Sequence, residues 1–179
     1  KIAAGWDPAR DEAAGEQCKA YGAAGLMRLP TRIRIAWQDD TTLKLETDAG
    51  TQTRVFYFGP PQGTGGDWQG LSSATWDAPR APFAGRGGGP ALGGSLKVVT
   101  TRMKPGYLRK NGAPYGANAV LTEYFDRFEI PGGDSLLVVT SELVDPENLI
   151  SPYWTSQQFK PENGTTGWNP VSSRMVMDR

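Results

Sequence analysis

Histidine is absent from the 179-residue chain. Its absence excludes Ser-His-Asp and Cys-His catalysis, metal sites with histidine ligands and any imidazole general base. Acid–base chemistry would therefore depend on Asp, Glu, Tyr or Lys side chains. We accordingly expect a protein without a metal and without a cofactor.

Cysteine is almost as scarce, because Cys18 is the only one and a single cysteine forms no internal disulfide. Charges of the two signs balance, with 19 Lys and Arg against 19 Asp and Glu. A neutral chain gives no reason to expect a nucleic acid or an anionic membrane surface as partner. No apolar run approaches the roughly 18–20 residues that cross a bilayer, so we do not expect a membrane-spanning protein.

Glycine and proline are abundant, with 23 and 14 residues, and β-branched and aromatic residues cluster in short runs. Helix-periodic segments are few, so the composition predicts an all-β protein with prominent loops. The length fits a single domain that spans residues 1–179. Within an N-terminal arm at 1–30, Asp7 as a cap and Pro8 at the first helical position predict a short helix on the outside of the main body.

The clearest element is a long β-hairpin between residues 119 and 145. Two runs rich in Val, Leu, Thr, Tyr and Phe flank a Pro-Gly-Gly-Asp turn. Pro131 presets the φ that a type II turn needs at its second position, and Gly132 tolerates the positive φ at the third. We expect Ile130 to pair with Ser135 across this turn, which sets the register of the whole hairpin.

Six further segments have the alternation or the composition of strands. They are Arg32–Gln38, Thr42–Thr47, Gln52–Phe58, Leu71–Asp77, Ser95–Met103 and Pro152–Phe159. Eight strands joined mostly by turns, with no crossover helices, predict an eight-stranded antiparallel up-and-down barrel of the lipocalin or calycin type over 31–160. A β-sandwich is the alternative. We expect a long Gly/Pro-rich insertion loop at 59–94 and an irregular tail at 161–179.

Three runs carry a resemblance to a known family: WQGLSSATWD, GGSLKVVTTRMKPGYLRKNGAPYGANAVLTEYFDRFE and SLLVVTSELVDPENLISPYWT. Over roughly residues 32–160 the chain resembles uncharacterised bacterial exported proteins with lipocalin-like, or calycin-like, barrels. Those relatives often carry His-Ser after the proline of the 104–118 loop, where this chain has Tyr115-Gly116. The resemblance implies the barrel fold and an extracytoplasmic location, periplasmic or secreted, with the leader absent from this chain. It implies no activity.

Two carboxylates of the hairpin are candidates for acid–base chemistry. In the expected register Glu123 faces Glu142, with Cβ atoms about 5 Å apart. Facing carboxylates repel, so the pKa of one should rise unless a cation such as Arg127 intervenes. With Tyr115 as proton donor, such a pair in a barrel lumen would suit a cofactor-free isomerase, cyclase or lyase. The alternative is that this face points outward and the glutamates are solvated or paired with arginines.

Aromatic side chains suggest a different function, namely the binding of a small hydrophobic or aromatic molecule. We expect several of them to gather at one mouth of the barrel, with tyrosine hydroxyls as polar contacts. The residues expected to contact the ligand are Trp37, Tyr57, Tyr107, Tyr115 and Trp154, together with Arg102 and Arg127. This is the preferred function, and the alternative is that these residues are ordinary core and rim.

The hairpin also has an apolar second face. In the expected register this face carries Val120, Tyr124, Phe128, Leu137, Val139 and Leu143. A single-layer barrel with a solvated outside should be polar there, so either the chain itself or another subunit must cover it. The third hypothesis is therefore a structural or assembly subunit, a homo-oligomer that docks through this face and the 59–94 loop.

Overall fold

The computed structural model describes residues 5–77 and 94–175. Its main feature is one eight-stranded sheet that curls into a half-barrel. In chain order the strands are β1 (Ile33–Asp39), β2 (Thr42–Thr47), β3 (Ala49–Gly50), β4 (Thr53–Tyr57), β5 (Leu71–Asp77), β6 (Ser95–Thr101), β7 (Gly106–Tyr107), β8 (Pro114–Tyr115), β9 (Val120–Glu129), β10 (Ser135–Val144), β11 (Tyr153–Phe159) and β12 (Val171–Ser172). The helices are α1 (Pro8–Ala13), a 3₁₀ helix (Gln17–Tyr21) and α2 (Ala23–Leu26).

The order of strands in the main sheet is β1-β2-β4-β5-β6-β9-β10-β11. The predicted all-β class is therefore confirmed, and each of the eight strand candidates lies in this sheet. One joint differs from the expected antiparallel pattern, because β4 and β5 pair in parallel at Phe56↔Ser72 and Tyr57↔Ser73. The segment 58–70 returns the chain to the end from which β4 started, so β5 runs in the same direction as β4.

This parallel joint sets how the two edges of the sheet relate. The other six joints are antiparallel, so β1 and β11 run in the same direction. In an antiparallel up-and-down barrel of eight strands the first and last strands run in opposite directions and pair. In the part of the chain that the structure describes, no ladder joins β1 to β11, and the sheet stays open along this seam.

Side chains alternate between an inner, concave face and an outer face of the sheet. On the inner face Leu45, Phe56, Val98 and Val139 are fully buried and belong to one core cluster. This stretch of the interior is packed with side chains, so it leaves no lumen for a ligand between these strands. We call the end where β5 finishes and β6 starts the open end, and the opposite end the closed end.

The register of the β9–β10 hairpin differs by one residue from the expected one. Ser135 pairs with Glu129 instead of Ile130, and the Ile130 amide donates to the Asp134 carbonyl at 2.9 Å. Gly132 has the expected positive φ, at 108°. Because side chains alternate along a strand, this slip of one residue moves every β10 side chain to the face opposite the one predicted.

The N-terminal arm closes one end of the half-barrel. The predicted helix is confirmed as α1, where the Asp7 side chain accepts a hydrogen bond from the Ala9 amide at 3.0 Å. The 3₁₀ helix and α2 were not predicted, because neither is long enough to show an apolar period. Tyr21 and Leu26 are buried in the main core. Ala23 packs in a second core cluster at the closed end, the closed-end cluster, which includes Leu121 and Leu143.

The C-terminal segment crosses the seam. We call residues 160–175 the strap, because it runs from the end of β11 past the edge of β1 to β3. There β12 pairs in parallel with β3, at Val171↔Ala49 and Ser172↔Gly50. The tail predicted as irregular therefore holds the two edges of the sheet together. None of the helices in residues 5–77 and 94–175 combines the length and hydropathy that crossing a membrane requires.

Candidate functional site

The gap between β1 and β11 contains a pocket of about 810 Å³, which we call the seam pocket. Among residues 5–77 and 94–175, β1 pairs only with β2 and β11 only with β10, so the pocket occupies the place of a missing joint in the sheet. Its lining residues are Thr31, Arg32, Ile33, Arg34, Ile35, Arg127, Ser135, Leu137, Gln158, Phe159, Lys160, Pro161, Glu162, Gly164 and Trp168.

One part of the seam pocket wall is apolar because of strand alternation. Ile33 and Ile35 lie two residues apart on β1 and therefore share its inner face. Across the gap, Leu137 of β10 pairs with Phe159 of β11 on one side and with Arg127 of β9 on the other. These three neighbouring side chains lie on one face, which places a cation at the edge of an apolar wall.

The strap forms the outer wall of the pocket through two contacts, one with Arg32 just before β1 and one with Arg34 on β1. Arg32 Nε lies 3.0 Å from Glu162 Oε2, and the Arg34 guanidinium lies 3.8 Å from the centre of the Trp168 ring. Gly167 permits this approach, since a Cβ atom there would come within 2.6 Å of Arg32 Nε. Side-chain contacts with the strap, and not backbone hydrogen bonds between β1 and β11, therefore bridge the seam.

A separate feature, at the open end, is the aromatic row, formed by Trp37, Phe58 and Trp76. The ring centres are 5.1 Å apart for Trp37 and Phe58, and 5.6 Å apart for Phe58 and Trp76. Trp37 and Trp76 are 53% and 61% exposed. Exposed indole faces offer stacking surfaces to an apolar or planar molecule.

A buried polar cluster lies on the inner face nearer the closed end. Arg54 Nη2 is 2.5 Å from Glu123 Oε2 and 3.1 Å from Thr100 Oγ1. The Thr100 and Ser72 hydroxyls lie 2.8 Å apart and share a hydrogen bond. All four side chains are buried, and none of them lines the seam pocket.

The predicted pairing of Glu123 with Glu142 is wrong. Glu123 pairs with Ser141 and is buried on the inner face, whereas Glu142 pairs with Thr122 on the outer face. The error follows from the one-residue difference in the turn. Because the two carboxylates lie on opposite sides of the sheet, they cannot share a proton.

Tyr115 lies apart from both glutamates. It is 1% exposed and belongs to the closed-end cluster with Leu121 and Leu143. Burial raises the pKa of its phenol well above the usual value, so the group stays protonated at neutral pH. Glu123, Glu142 and Tyr115 do not line the seam pocket, and the structure brings together no pair of them for acid–base chemistry.

The aromatic residues predicted to form one mouth are dispersed. Only Trp37 lies at the open end on the inner face. Tyr57 alternates with the buried Phe56 and therefore points to the outer face, and Trp154 pairs with the outward Glu142. Tyr107 packs edge-on against Trp6, 6.0 Å between ring centres, at the closed end.

The two arginines that were predicted to contact the ligand also lie far apart in the structure. Arg127 lines the seam pocket and forms an exposed ion pair with Glu129, with Nη2 2.9 Å from Oε1. Arg102 follows β6 at the closed end with a positive φ of 54°. The grouping of these aromatic and basic residues at one mouth is therefore wrong, and Trp37 and Arg127 are the members that lie on the inner face towards the open end.

Sequence reasoning missed most of the residues that build the seam pocket. The alternation of RIRIAWQ already places Ile33 and Ile35 on one face, so that part of the wall had a signal. Leu137 also lies in a segment with the composition of a strand, but the expected hairpin register assigned it to the outer face. The strap residues Glu162 and Trp168 carry no such sequence signal, because they follow the last strand in a stretch without periodicity.

The outer face of β10 carries other residues than predicted. Leu137, Val139 and Leu143 lie inside, and the outward side chains of β10 are those of Leu136, Val138, Thr140, Glu142 and Val144. Among the described residues, the exposed large apolar side chains on the outer face of β9, β10 and β11 are Phe128, Val144 and Trp154. Of the 59–94 loop expected to dock a partner, residues 78–93 lie outside the described residues. The assembly hypothesis therefore stays a prediction.

Within the two described ranges, no three His, Cys, Asp or Glu side chains are grouped so as to hold a metal ion. Comparison with known proteins gives no further guide. No family model, no curated protein and no solved structure matches the chain.

Proposed function

We propose that the protein binds a small hydrophobic or aromatic molecule in the seam pocket, in the manner of a lipocalin-like ligand carrier. The observation that carries the proposal is the pocket itself, about 810 Å³ in volume with Ile33, Ile35, Leu137 and Phe159 on its walls. Ligand sites are typically concave and mostly apolar, with volumes of about 300–1,000 Å³. The packed core leaves the seam between β1 and β11 as the place for such a ligand.

The aromatic row extends this site along the open end. Ile35 and Trp37 are neighbours on the inner face of β1, so a planar ligand at Ile35 would lie beside the exposed Trp37 indole. Trp37 therefore keeps its predicted role in ligand contact and also serves as a fluorescent reporter. We propose that the protein works outside the cytoplasm, as the resemblance to exported barrels implies, and fractionation of the producing cells tests that location.

The first test is native mass spectrometry of gently purified protein. A monomer or dimer that carries a discrete extra mass supports the proposal, and that mass identifies the ligand class. A large homo-oligomer without bound mass contradicts it and favours the assembly hypothesis.

The second test uses a matched pair of variants and the neutral probe N-phenyl-1-naphthylamine. Ile35→Trp fills the pocket, whereas Ala36→Trp adds the same ring on the opposite face of β1. We expect the first change to weaken probe binding at least about tenfold, equivalent to 1.4 kcal/mol, and the second to leave it unchanged. Equal binding by both variants would show that the probe does not use the seam pocket.

A further inference from the structure

The charges around the seam pocket are unbalanced, although the chain as a whole is neutral. Four of its lining residues are cations, namely Arg32, Arg34, Arg127 and Lys160, and one is a carboxylate, Glu162. Counted over the lining alone, four positive charges and one negative charge leave an excess of three. An apolar pocket with a one-sided charge at its rim is suited to an amphipathic ligand of opposite sign.

Two of the four cations are paired with carboxylates. Arg32 contacts Glu162 at 3.0 Å and Asp48 at 3.8 Å, so its charge is compensated. Arg127 contacts Glu129, but these side chains are 71% and 69% exposed. Ion pairs that are so exposed to water contribute little, and Arg127 can exchange this partner for a ligand at small cost.

The other two cations have no carboxylate partner. Among the described residues, no Asp or Glu oxygen lies within 4.0 Å of the Arg34 or Lys160 nitrogens. Arg34 is held in place by the Trp168 ring, so its guanidinium is already oriented beside the pocket. Lys160 directly follows Phe159, and both residues line the pocket.

We infer that the ligand of the seam pocket is an amphipathic anion, with one carboxylate or sulfonate group at the Arg34, Arg127 and Lys160 rim and its apolar body against Ile33, Ile35, Leu137 and Phe159. This inference rests on the proposed function and adds the charge of the ligand to it. Charge-assisted hydrogen bonds to a carboxylate are stronger than neutral ones, and a bidentate arginine contact also fixes orientation. A neutral ligand would use the apolar wall alone.

Two probes with the same ring system test the charge. 8-Anilinonaphthalene-1-sulfonate carries a sulfonate, and N-phenyl-1-naphthylamine does not. We expect the anionic probe to bind about tenfold more tightly at low salt, and this advantage to shrink at high salt because ions screen the rim charges. Binding is measured by probe fluorescence together with energy transfer from tryptophan.

A pair of double variants assigns the effect to the rim. Arg127→Gln with Lys160→Gln removes two rim charges, and a control variant, Arg10→Gln with Lys97→Gln, removes two charges that do not line the pocket. Arg10 lies exposed on α1, and Lys97 lies over the Tyr124 ring. We expect the rim variant to lose about fivefold or more of the affinity for the anionic probe and none for the neutral probe. The control variant should bind both probes as the parent does.

The outcomes separate the two claims. One outcome is that both probes bind with equal affinity, that Ile35→Trp blocks both and that the rim variant changes neither affinity. It refutes the proposed negative charge of the ligand and supports binding in the seam pocket. If neither probe responds to Ile35→Trp, the proposed function fails. Equal weakening of anionic-probe binding in the rim variant and the control variant also refutes the inference, because binding would then respond to net charge alone.

Discussion

Arg54 and Glu123 form an ion pair inside the half-barrel, with Arg54 Nη2 2.5 Å from Glu123 Oε2 and their side chains 0% and 1% exposed. The two residues are 69 positions apart in the sequence and lie on β4 and β9. Removing two charges from water is costly, and a buried pair offsets that cost only while both members are present. The pair therefore ties together strands that are separated in the sheet by β5 and β6.

Removal of one member should leave an uncompensated charge in the core. We expect Glu123→Ala to lower the free energy of unfolding by about 3–5 kcal/mol, measured by urea or guanidinium unfolding monitored by circular dichroism. Glu142→Ala is the matched control on the outer face and should cost about 0.5 kcal/mol or less. Equal losses in the two variants would contradict the observed register of the β9–β10 hairpin.

Replacement of both members should be tolerated. The double variant Arg54→Met and Glu123→Leu removes both charges and keeps similar volumes. We expect its stability to equal or exceed that of the parent by about 1–4 kcal/mol, since apolar groups in place of a buried pair avoid the desolvation cost. A double variant as unstable as Glu123→Ala would show that the hydrogen bonds to Thr100, and not charge pairing, dominate the cluster.

The sequence predicts the strands of this fold well because each strand carries its own local pattern. RIRIAWQ and TLKLET show the period of two that a sheet with a buried face requires, and Pro131 and Gly132 mark the turn. The same period makes the site hard to predict. A register that differs by one residue places Glu142 on the side of the sheet opposite Glu123, which separates the predicted catalytic pair.

The seam pocket could not be predicted for a different reason, namely that its lining residues are far apart in the sequence. Arg32 and Glu162 are 130 positions apart, and neither lies in a segment whose pattern points to the other. The parallel β4–β5 joint, which makes β1 and β11 run in the same direction, depends on the path of a loop without periodicity. Contacts of this kind depend on the fold as a whole, and local propensity does not encode them.

The phenol of Tyr115 should make stability depend on alkaline pH. Burial raises its pKa in the folded state above the unfolded value of about 10. Above that pH the unfolded chain loses the proton and the folded chain keeps it, so stability present below about pH 10 falls as the pH rises. We expect Tyr115→Phe, measured by unfolding between pH 8 and 11, to weaken this decline.

Tyr115→Phe should cost little stability at neutral pH. The hydroxyl is buried without a hydrogen-bond partner in residues 5–77 and 94–175, so its removal leaves no polar group unpaired. The other tyrosines and the lysines titrate alike in parent and variant, so the difference between the two curves isolates Tyr115. Parallel pH profiles would contradict the prediction.

Asp48 should make the attachment of the strap sensitive to acid. Its carboxylate accepts hydrogen bonds from the Arg32 amide at 2.8 Å, the Thr31 hydroxyl at 2.9 Å and the Ala49 amide at 2.7 Å, and its carbonyl accepts from the Val171 amide of the strap. Burial alone would raise its pKa, but these hydrogen bonds hold the pKa below the usual value.

The sign of the acid effect follows from that lowered pKa. As the pH falls below about 4, the unfolded chain takes up the proton first, so stability present at neutral pH is lost on acidification. Asp48→Asn keeps one acceptor oxygen and removes the charge, and we expect a loss of about 1–3 kcal/mol at pH 7. The gap between parent and variant should narrow from pH 5 to pH 2, whereas Asp40→Asn, an exposed turn residue, should follow the parent throughout. A gap that stays constant over this range would show that the charge of Asp48 does not stabilise the strap.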